Sequence, residues 1–227
     1  RRFFAVFLGL LPALLVINTM SGTLPLIVDY AFWFFPLLLA SFLFELFAAS
    51  SKPFENIAFS ILGIVYIGLP TTLLVSMPLM NAVATQIILA VLIMVWASDV
   101  FAYLLGSKIG KHKMFPRISP KKTWEGTFSG VLGAILTGIV CSFAFPEVHY
   151  PLWQWMVLGA VCTIFGILGD LVESMLKRSL GIKDSGDILP GHGGFLDRFD
   201  AFIFAVPFAV FTMRVIFGDF RFQTWIF

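Results

Sequence analysis

Two pairs of carboxylates stand at the same spacing on either side of a glycine-rich turn. Asp170 and Glu173, in GILGDLVESMLKR, close one apolar run, and Asp197 and Asp200, in FLDRFDAFIF, open the next. A separation of three residues puts both members of a pair on one face of a helix. Four like charges at the ends of apolar segments are costly to desolvate unless a cation neutralises them. Oxygen-only ligands suit a hard cation such as Mg²⁺, which commonly also coordinates substrate phosphates. The plainer reading is that these residues cap helices and pair with Lys177, Arg178 and Arg198. Repetition of the pair across one loop favours the metal.

Between the pairs lies GDILPGHGGFLD. In Gly191-His192-Gly193-Gly194 the glycines permit close approach of backbone N–H groups to an anion, and the helix expected next adds the positive end of its dipole. A simple turn is the alternative. His192 would donate a proton, hydrogen-bond a phosphate or hold the turn together.

A second polar segment, GSKIGKHKMFPRISPKKTWEGT at 106–127, carries Lys108, Lys111, Lys113, Arg117, Lys121 and Lys122. Within it, SPKKTWEG sets Ser119, a proline-fixed turn, two adjacent ammonium groups, Thr123, Trp124 and Glu125 just ahead of a helix. Lys121 and Lys122 are suited to hold polyanionic phosphate as point charges. Such cations would also satisfy a topology rule or bind anionic headgroups. Asp99, near the end of an apolar run, is a functional candidate because an intramembrane charge is expensive. Cations for phosphate beside carboxylates for a metal are what phosphoryl or nucleotidyl transfer requires.

A membrane protein must position these groups. Hydrophobic residues make up 59% of the 227-residue chain and charged residues only 12%, whereas a soluble domain has roughly 45–50% and about 25%. Mean hydropathy is +0.95. The length would suit one or two soluble domains, but apolar stretches recur from end to end and exclude that class. A helix needs about 20 apolar residues to cross the hydrocarbon. Seven stretches qualify, at 3–20, 30–49, 57–76, 82–106, 127–145, 152–176 and 199–217. Pro12 and Asn18 interrupt the first, which is expected to be a span because no small-residue cleavage pattern follows it. The expected fold class is an all-α polytopic integral membrane protein of about seven transmembrane helices, without a repeat or a separate soluble module.

Alternating the spans puts the N-terminus, 50–56, 107–126 and 177–198 on one side. Of the 15 Lys and Arg, only Arg214 and Arg221 fall elsewhere. That asymmetry marks the crowded side as cytoplasmic. The expected organisation is hydrophobic helices over 1–94 and a catalytic transmembrane region over 95–227, with cytoplasmic loops at 107–126 and 177–198. The active site would then lie at the cytoplasmic interface. The bilayer is the partner this composition demands; nucleic acid is not expected, and a homodimer is compatible with the sequence. Cys141 and Cys162 sit in apolar runs at no metal-ligand spacing and are expected to be small core residues.

The stretch SMLKRSLGIKDSGDILPGHGGFLDRFD resembles the signature of the phosphatidate cytidylyltransferases, or CDP-diacylglycerol synthases. It matches at Ser174, Lys177-Arg178, Lys183-Asp184, His192-Gly193-Gly194, Asp197-Arg198 and Asp200. ISPKKTWEG at 118–126 and SDVFAYLLGSKIG at 98–110 are similar to further blocks of that family, so the resemblance covers roughly 95–205. It implies transfer of CMP from CTP to phosphatidic acid, giving CDP-diacylglycerol and pyrophosphate. It implies that Asp170, Glu173, Asp197 and Asp200 hold a two-cation centre, Mg²⁺ with a second cation of open identity. Substrate oxygens would fall to Lys108, Ser119, Lys121, Lys122, Thr123, Lys177, Arg178, Lys183, Arg198 and the Gly193-Gly194 backbone. Asp197, Asp170, Lys122, Arg198 and His192 would act in catalysis, while Asp99, Trp124 and Glu125 would position the substrates or the loop. The setting implied is a bacterial plasma membrane, with an organelle membrane as the other option.

Two further readings stay open on the sequence. A CTP-dependent kinase of a lipid alcohol would use the same groups to move the γ-phosphate. A transporter would line an ion path with carboxylates, but such sites lie near the midplane of broken helices. Here the charges crowd one face, and only Asp99 and Glu45 are expected to lie deep.

Overall fold

The computed structural model describes residues 39, 41–48, 51–80, 83–186, 194 and 196–218. Among them, five helices are long and apolar enough to cross a membrane: Pro53–Pro78, Ala84–Ile109, Trp124–Ala144, Leu152–Ser179 and Leu196–Ile216. They match the last five expected spans, and the chain is a mostly helical integral membrane protein. The expected span at 3–20 lies outside the described residues, as does most of 30–49, of which 41–48 is helical.

Backbone contacts divide the chain into two compact units, Arg1–Ala84 with Phe220–Phe227, and Thr85–Asp219. In the first unit, α1 (Pro53–Gly63) and α2 (Leu69–Met80) are joined by a π turn at Ile64–Gly68. Pro70 has no N–H to give the helical ladder, and the ladder widens just before it. The Thr71 and Thr72 hydroxyls bond the Gly68 carbonyl at 3.0 and 2.7 Å, serving an oxygen that lipid cannot.

The second unit holds the candidate site. Its elements are α3 (Ala84–Ile109), β1 (Lys113–Phe115), β2 (Ser119–Thr123), α4 (Trp124–Ala144), α5 (Leu152–Ser179) and α6 (Leu196–Phe211), the last continuing into a π turn at Thr212–Ile216. Helix α5 packs against both α4 and α6. Lipid tails are as apolar as the helices, so close contact between backbones, rather than water exclusion, must hold them together. A Cβ on Gly169 of α5 would stand 2.4 Å from the Phe204 Cβ of α6, so only glycine allows this approach. Trp155, Leu158 and Cys162 of α5 and Ala205 of α6 are fully buried in the resulting core. Cys141 and Cys162 are buried free thiols, as their apolar settings led us to expect.

Two short strands amend the all-α expectation. Strands β1 and β2 pair antiparallel, Lys113 opposite Thr123 and Phe115 opposite Ser119. SPKKT, expected as a proline-fixed turn, is therefore a strand, and Pro120 is tolerated in it because a two-stranded ribbon has free edges. Helix α4 begins at Trp124, earlier than the expected 127. Thr123, extended at φ −125°, accepts the Gly126 N–H on its Oγ1 at 3.2 Å and caps the helix.

Helix α5 ends in a Schellman turn. Ile182 N–H bonds Lys177 O at 3.0 Å and Gly181 N–H bonds Arg178 O at 3.1 Å, with Gly181 at φ 69°. A Cβ on Gly181 would meet nothing within 4 Å, so Gly181→Ala isolates the backbone penalty of the left-handed region. Thermal unfolding in detergent should show a loss of about 1–2 kcal/mol, with Gly181→Asn falling between the two. At 28 residues, α5 is about 42 Å long against about 30 Å of hydrocarbon. Roughly two turns overhang, and the polar segment from Asp170 to Ser179 is the end suited to leave the lipid.

Candidate active site

Where α3 ends and α4 begins, and where α5 ends and α6 begins, the second unit carries two adjoining cavities. The first, of about 450 Å³, is lined by Lys113, Lys121, Lys122 and Thr123 of the hairpin, with Asp99, Tyr103 and Ser107 of α3 among its other walls. The second, of about 380 Å³, is lined by Asp170 and Lys177 of α5, Asp197, Arg198 and Asp200 of α6, and Trp96 and Asp99 of α3. One cavity is rich in cations and the other in carboxylates, and Asp99 borders both. At their junction Lys122 Nζ meets Asp170 Oδ2 at 2.6 Å.

The acidic side is organised by Lys177. Its ammonium donates to Glu173 Oε2 at 3.0 Å and to Asp197 Oδ1 at 2.6 Å, so it ties the end of α5 to the start of α6. Glu173 is only 1% exposed; it lies against the Asp200 carboxyl, and its Oε1 receives no bond from an N–H or hydroxyl. Asp197 Oδ2 accepts from the Ser185 N–H, the Ser185 hydroxyl and the Gly194 N–H, each at 2.8 Å. Asp200 is buried, and its Oδ1 accepts the Ala201 N–H at 2.7 Å. Ser174 Oγ donates to Asp170 Oδ1 at 3.2 Å.

The structure thus gathers Asp170, Asp197, Asp200, Lys177 and Arg198 around one cavity and Lys121, Lys122 and Thr123 around the other. Several of these residues have partners within the protein. Thr123 Oγ1 accepts the Gly126 N–H and caps α4, which leaves its O–H a donor in the wall of the first cavity. The Gly194 N–H, expected to face substrate, is taken by Asp197. Lys177, expected on phosphate, is held between two carboxylates, because a desolvated Glu173 needs a cation close by. Arg178 is exposed and donates from Nη1 to the Ile182 carbonyl at 3.4 Å, closing the turn after α5. Lys108 and Lys183 are exposed and line neither of these cavities, and Ser119 opens β2 opposite Phe115. His192 and Gly193 lie outside the described residues.

Lys113 and Ser185 were not singled out as site residues by the sequence, whereas Glu125 was expected to position the substrates or the loop. Lys113 reaches the first cavity because it pairs with Thr123 across the hairpin; recognising two strands would have found it. Glu125 accepts the Lys111 and His112 N–H groups at 3.1 and 3.2 Å and meets His112 Nδ1 at 2.6 Å. It therefore fastens the hairpin to the first turn of α4. Ser185, which anchors Asp197, has no local signature.

The donor set fits a hard cation in its chemistry. All four expected ligands are carboxylates, and the buried Glu173 and Asp200 carboxyls lie against each other, with no N–H or hydroxyl donating to Glu173 Oε1. Among the described residues no three His, Cys, Asp or Glu are drawn together as a metal-ligand group. The two lysines instead hold Asp170, Glu173 and Asp197.

Comparison with known proteins follows the same lines. A family model described as "Cytidylyltransferase family" matches residues 1–216. A protein of Staphylococcus epidermidis named "Phosphatidate cytidylyltransferase" is 43% identical over 154 residues, which cover 68% of this chain and 58% of that protein. A protein of the same name from Bacillus subtilis is 36% identical over 162 residues, 71% of this chain and 60% of its own length. The matched stretch therefore spans less than two thirds of these relatives.

Proposed function

The chain belongs to the cytidylyltransferase family, and on that footing we propose that it transfers CMP from CTP to phosphatidic acid, forming CDP-diacylglycerol and pyrophosphate. The observation that supports this most directly is the junction of a lysine-lined cavity with a carboxylate-lined one through Lys122, Asp170 and Asp99. Such a pair of compartments suits a reaction between two phosphate-bearing substrates.

An oxygen of the phosphatidate phosphate attacks the α-phosphorus of CTP, and the bond from that phosphorus to the bridging oxygen breaks to release pyrophosphate. The attacking phosphate is already anionic at neutral pH, so no strong general base is called for. In-line positioning and charge neutralisation carry the rate. Lys113, Lys121 and Lys122 would hold phosphate oxygens in the first cavity, and Arg198 would do so in the second. Asp99 would stand where the two substrates meet. Lys183, His192 and the Gly193 backbone keep the phosphate-binding role proposed from the sequence. Asp170, Glu173, Asp197 and Asp200 would hold Mg²⁺ and a second cation. Such ions, when bound, stabilise charge on the transferring phosphorus and the leaving group.

We place the site at the cytoplasmic face of a bacterial plasma membrane. The relatives come from Staphylococcus and Bacillus, and the ends that meet at the site carry most of the basic residues. Phosphatidate would then enter from the bilayer and CTP from water.

Label position tests the reaction. Purified protein in mixed micelles with phosphatidic acid and Mg²⁺ should move α-³²P from CTP into the lipid phase, and EDTA should stop it. If a lipid alcohol took label only from γ-³²P, the chain would be a kinase.

A further inference from the structure

We propose that Lys122 is an internal counter-ion exchanged for the divalent cation: paired with Asp170 it occupies that carboxylate, and metal binding there releases its ammonium to substrate phosphate in the first cavity. This rests on the metal-dependent transfer proposed above and concerns how the two cavities communicate.

The two ion pairs of the site are built differently. The Lys177 bridge is enclosed, with side chains 15%, 1% and 10% exposed at Lys177, Glu173 and Asp197, and Asp197 is further held by Ser185 and Gly194. The Lys122–Asp170 pair is open, at 24% and 35% exposed. Its other ties are one hydrogen bond on each side and the charge of Asp99, which attracts Lys122 and repels Asp170. Lys122 has one further bond, a long one of 3.4 Å to the Ile167 carbonyl, and Asp170 has the Ser174 hydroxyl at 3.2 Å. Solvent and ions can therefore reach the open pair, whereas the enclosed one is bolted to the loop.

Position makes the open pair a relay. Lys122 lines the cation-rich cavity and Asp170 the carboxylate-rich one, so the pair spans the boundary between them. An ammonium 2.6 Å from Asp170 Oδ2 and a divalent ion about 2.1 Å from the same oxygen repel each other strongly in a partly desolvated site. One must leave. Lys122 sits on a hairpin strand rather than inside a packed helix, and its long stem lets the ammonium swing toward the cavity it already borders. An anion there favours the released lysine, and a metal on Asp170 favours the same state, so each strengthens binding of the other.

The test uses the whole chain in detergent with Mn²⁺ as probe and no nucleotide. Electron paramagnetic resonance gives the Mn²⁺ affinity of the wild type and of Lys122→Met, which keeps the stem and removes the competing charge. We expect the variant to bind Mn²⁺ about 5–10-fold more tightly. In the wild type, Mn²⁺ should also raise acetylation of the Lys122 amine by a water-soluble ester several-fold, with Lys177 unchanged, as read by mass spectrometry. This second measurement needs no variant. Equal or weaker Mn²⁺ binding by Lys122→Met, or labelling of Lys122 that Mn²⁺ leaves unchanged, overturns the exchange while the metal site stands. A wild type that binds no Mn²⁺ overturns both.

Discussion

Asp197→Asn should lower the proposed cytidylyl transfer by at least about a hundredfold, in a protein that still elutes as a folded species. Removing one preorganised electrostatic group from such a site costs on the order of 10²–10³ in turnover, and Asp197 serves two purposes at once. Its Oδ1 takes the Lys177 ammonium at 2.6 Å, and its Oδ2 takes two N–H groups and a hydroxyl at 2.8 Å. Asparagine keeps the shape but not the charge, and its amide NH₂ must face either Lys177 or the Ser185 and Gly194 donors. At least one charge-assisted bond becomes a donor–donor contact, and the proposed cation loses a ligand. Limited proteolysis should show the segment after α5 cut faster, while helix content by circular dichroism stays the same. Wild-type turnover in this variant at limiting Mg²⁺ would take Asp197 out of the metal site.

Lys177→Met has the largest effect on stability, about 3–5 kcal/mol, the cost of leaving one partner of a buried ion pair uncompensated. Glu173 is 1% exposed, it lies against a second carboxyl, that of Asp200, and Lys177 is the cation on its Oε2. The same ammonium joins α5 to Asp197 on α6, so its loss also loosens the contact between the two helices. Adding Glu173→Gln to Lys177→Met should recover much of the loss, because a neutral amide is cheaper to desolvate than a carboxylate. Thermal unfolding of both variants in one detergent supplies the comparison. If Lys177→Met melts with the wild type, the lysine bridge does not hold α5 to α6.

The site was partly legible in the sequence, and the division follows the range of the interactions. Asp170 with Glu173 and Asp197 with Asp200 were visible as pairs because helical spacing is local. Thr123 and Glu125 were visible as polar residues opening a helix, Thr123 as a substrate contact and Glu125 as positioning the substrates or the loop, but neither the cap nor the bond to His112 was. The hairpin was missed because Pro120 and a run of charged residues look like turn chemistry, and a two-residue-period strand this short carries little pattern.

By itself the sequence determined that this is a membrane protein and where its last five spans lie. Each of those follows from the roughly 20 apolar residues that a lipid crossing requires, a demand met along the chain. Only the tertiary structure decided which groups meet across elements: Lys122 with Asp170, and Lys177 with Asp197. Those partners are set by how closely α5 lies against α4 and α6, through contacts such as Gly169 on Phe204. Charges paired across helices depend on a fit of surfaces that no stretch of sequence contains.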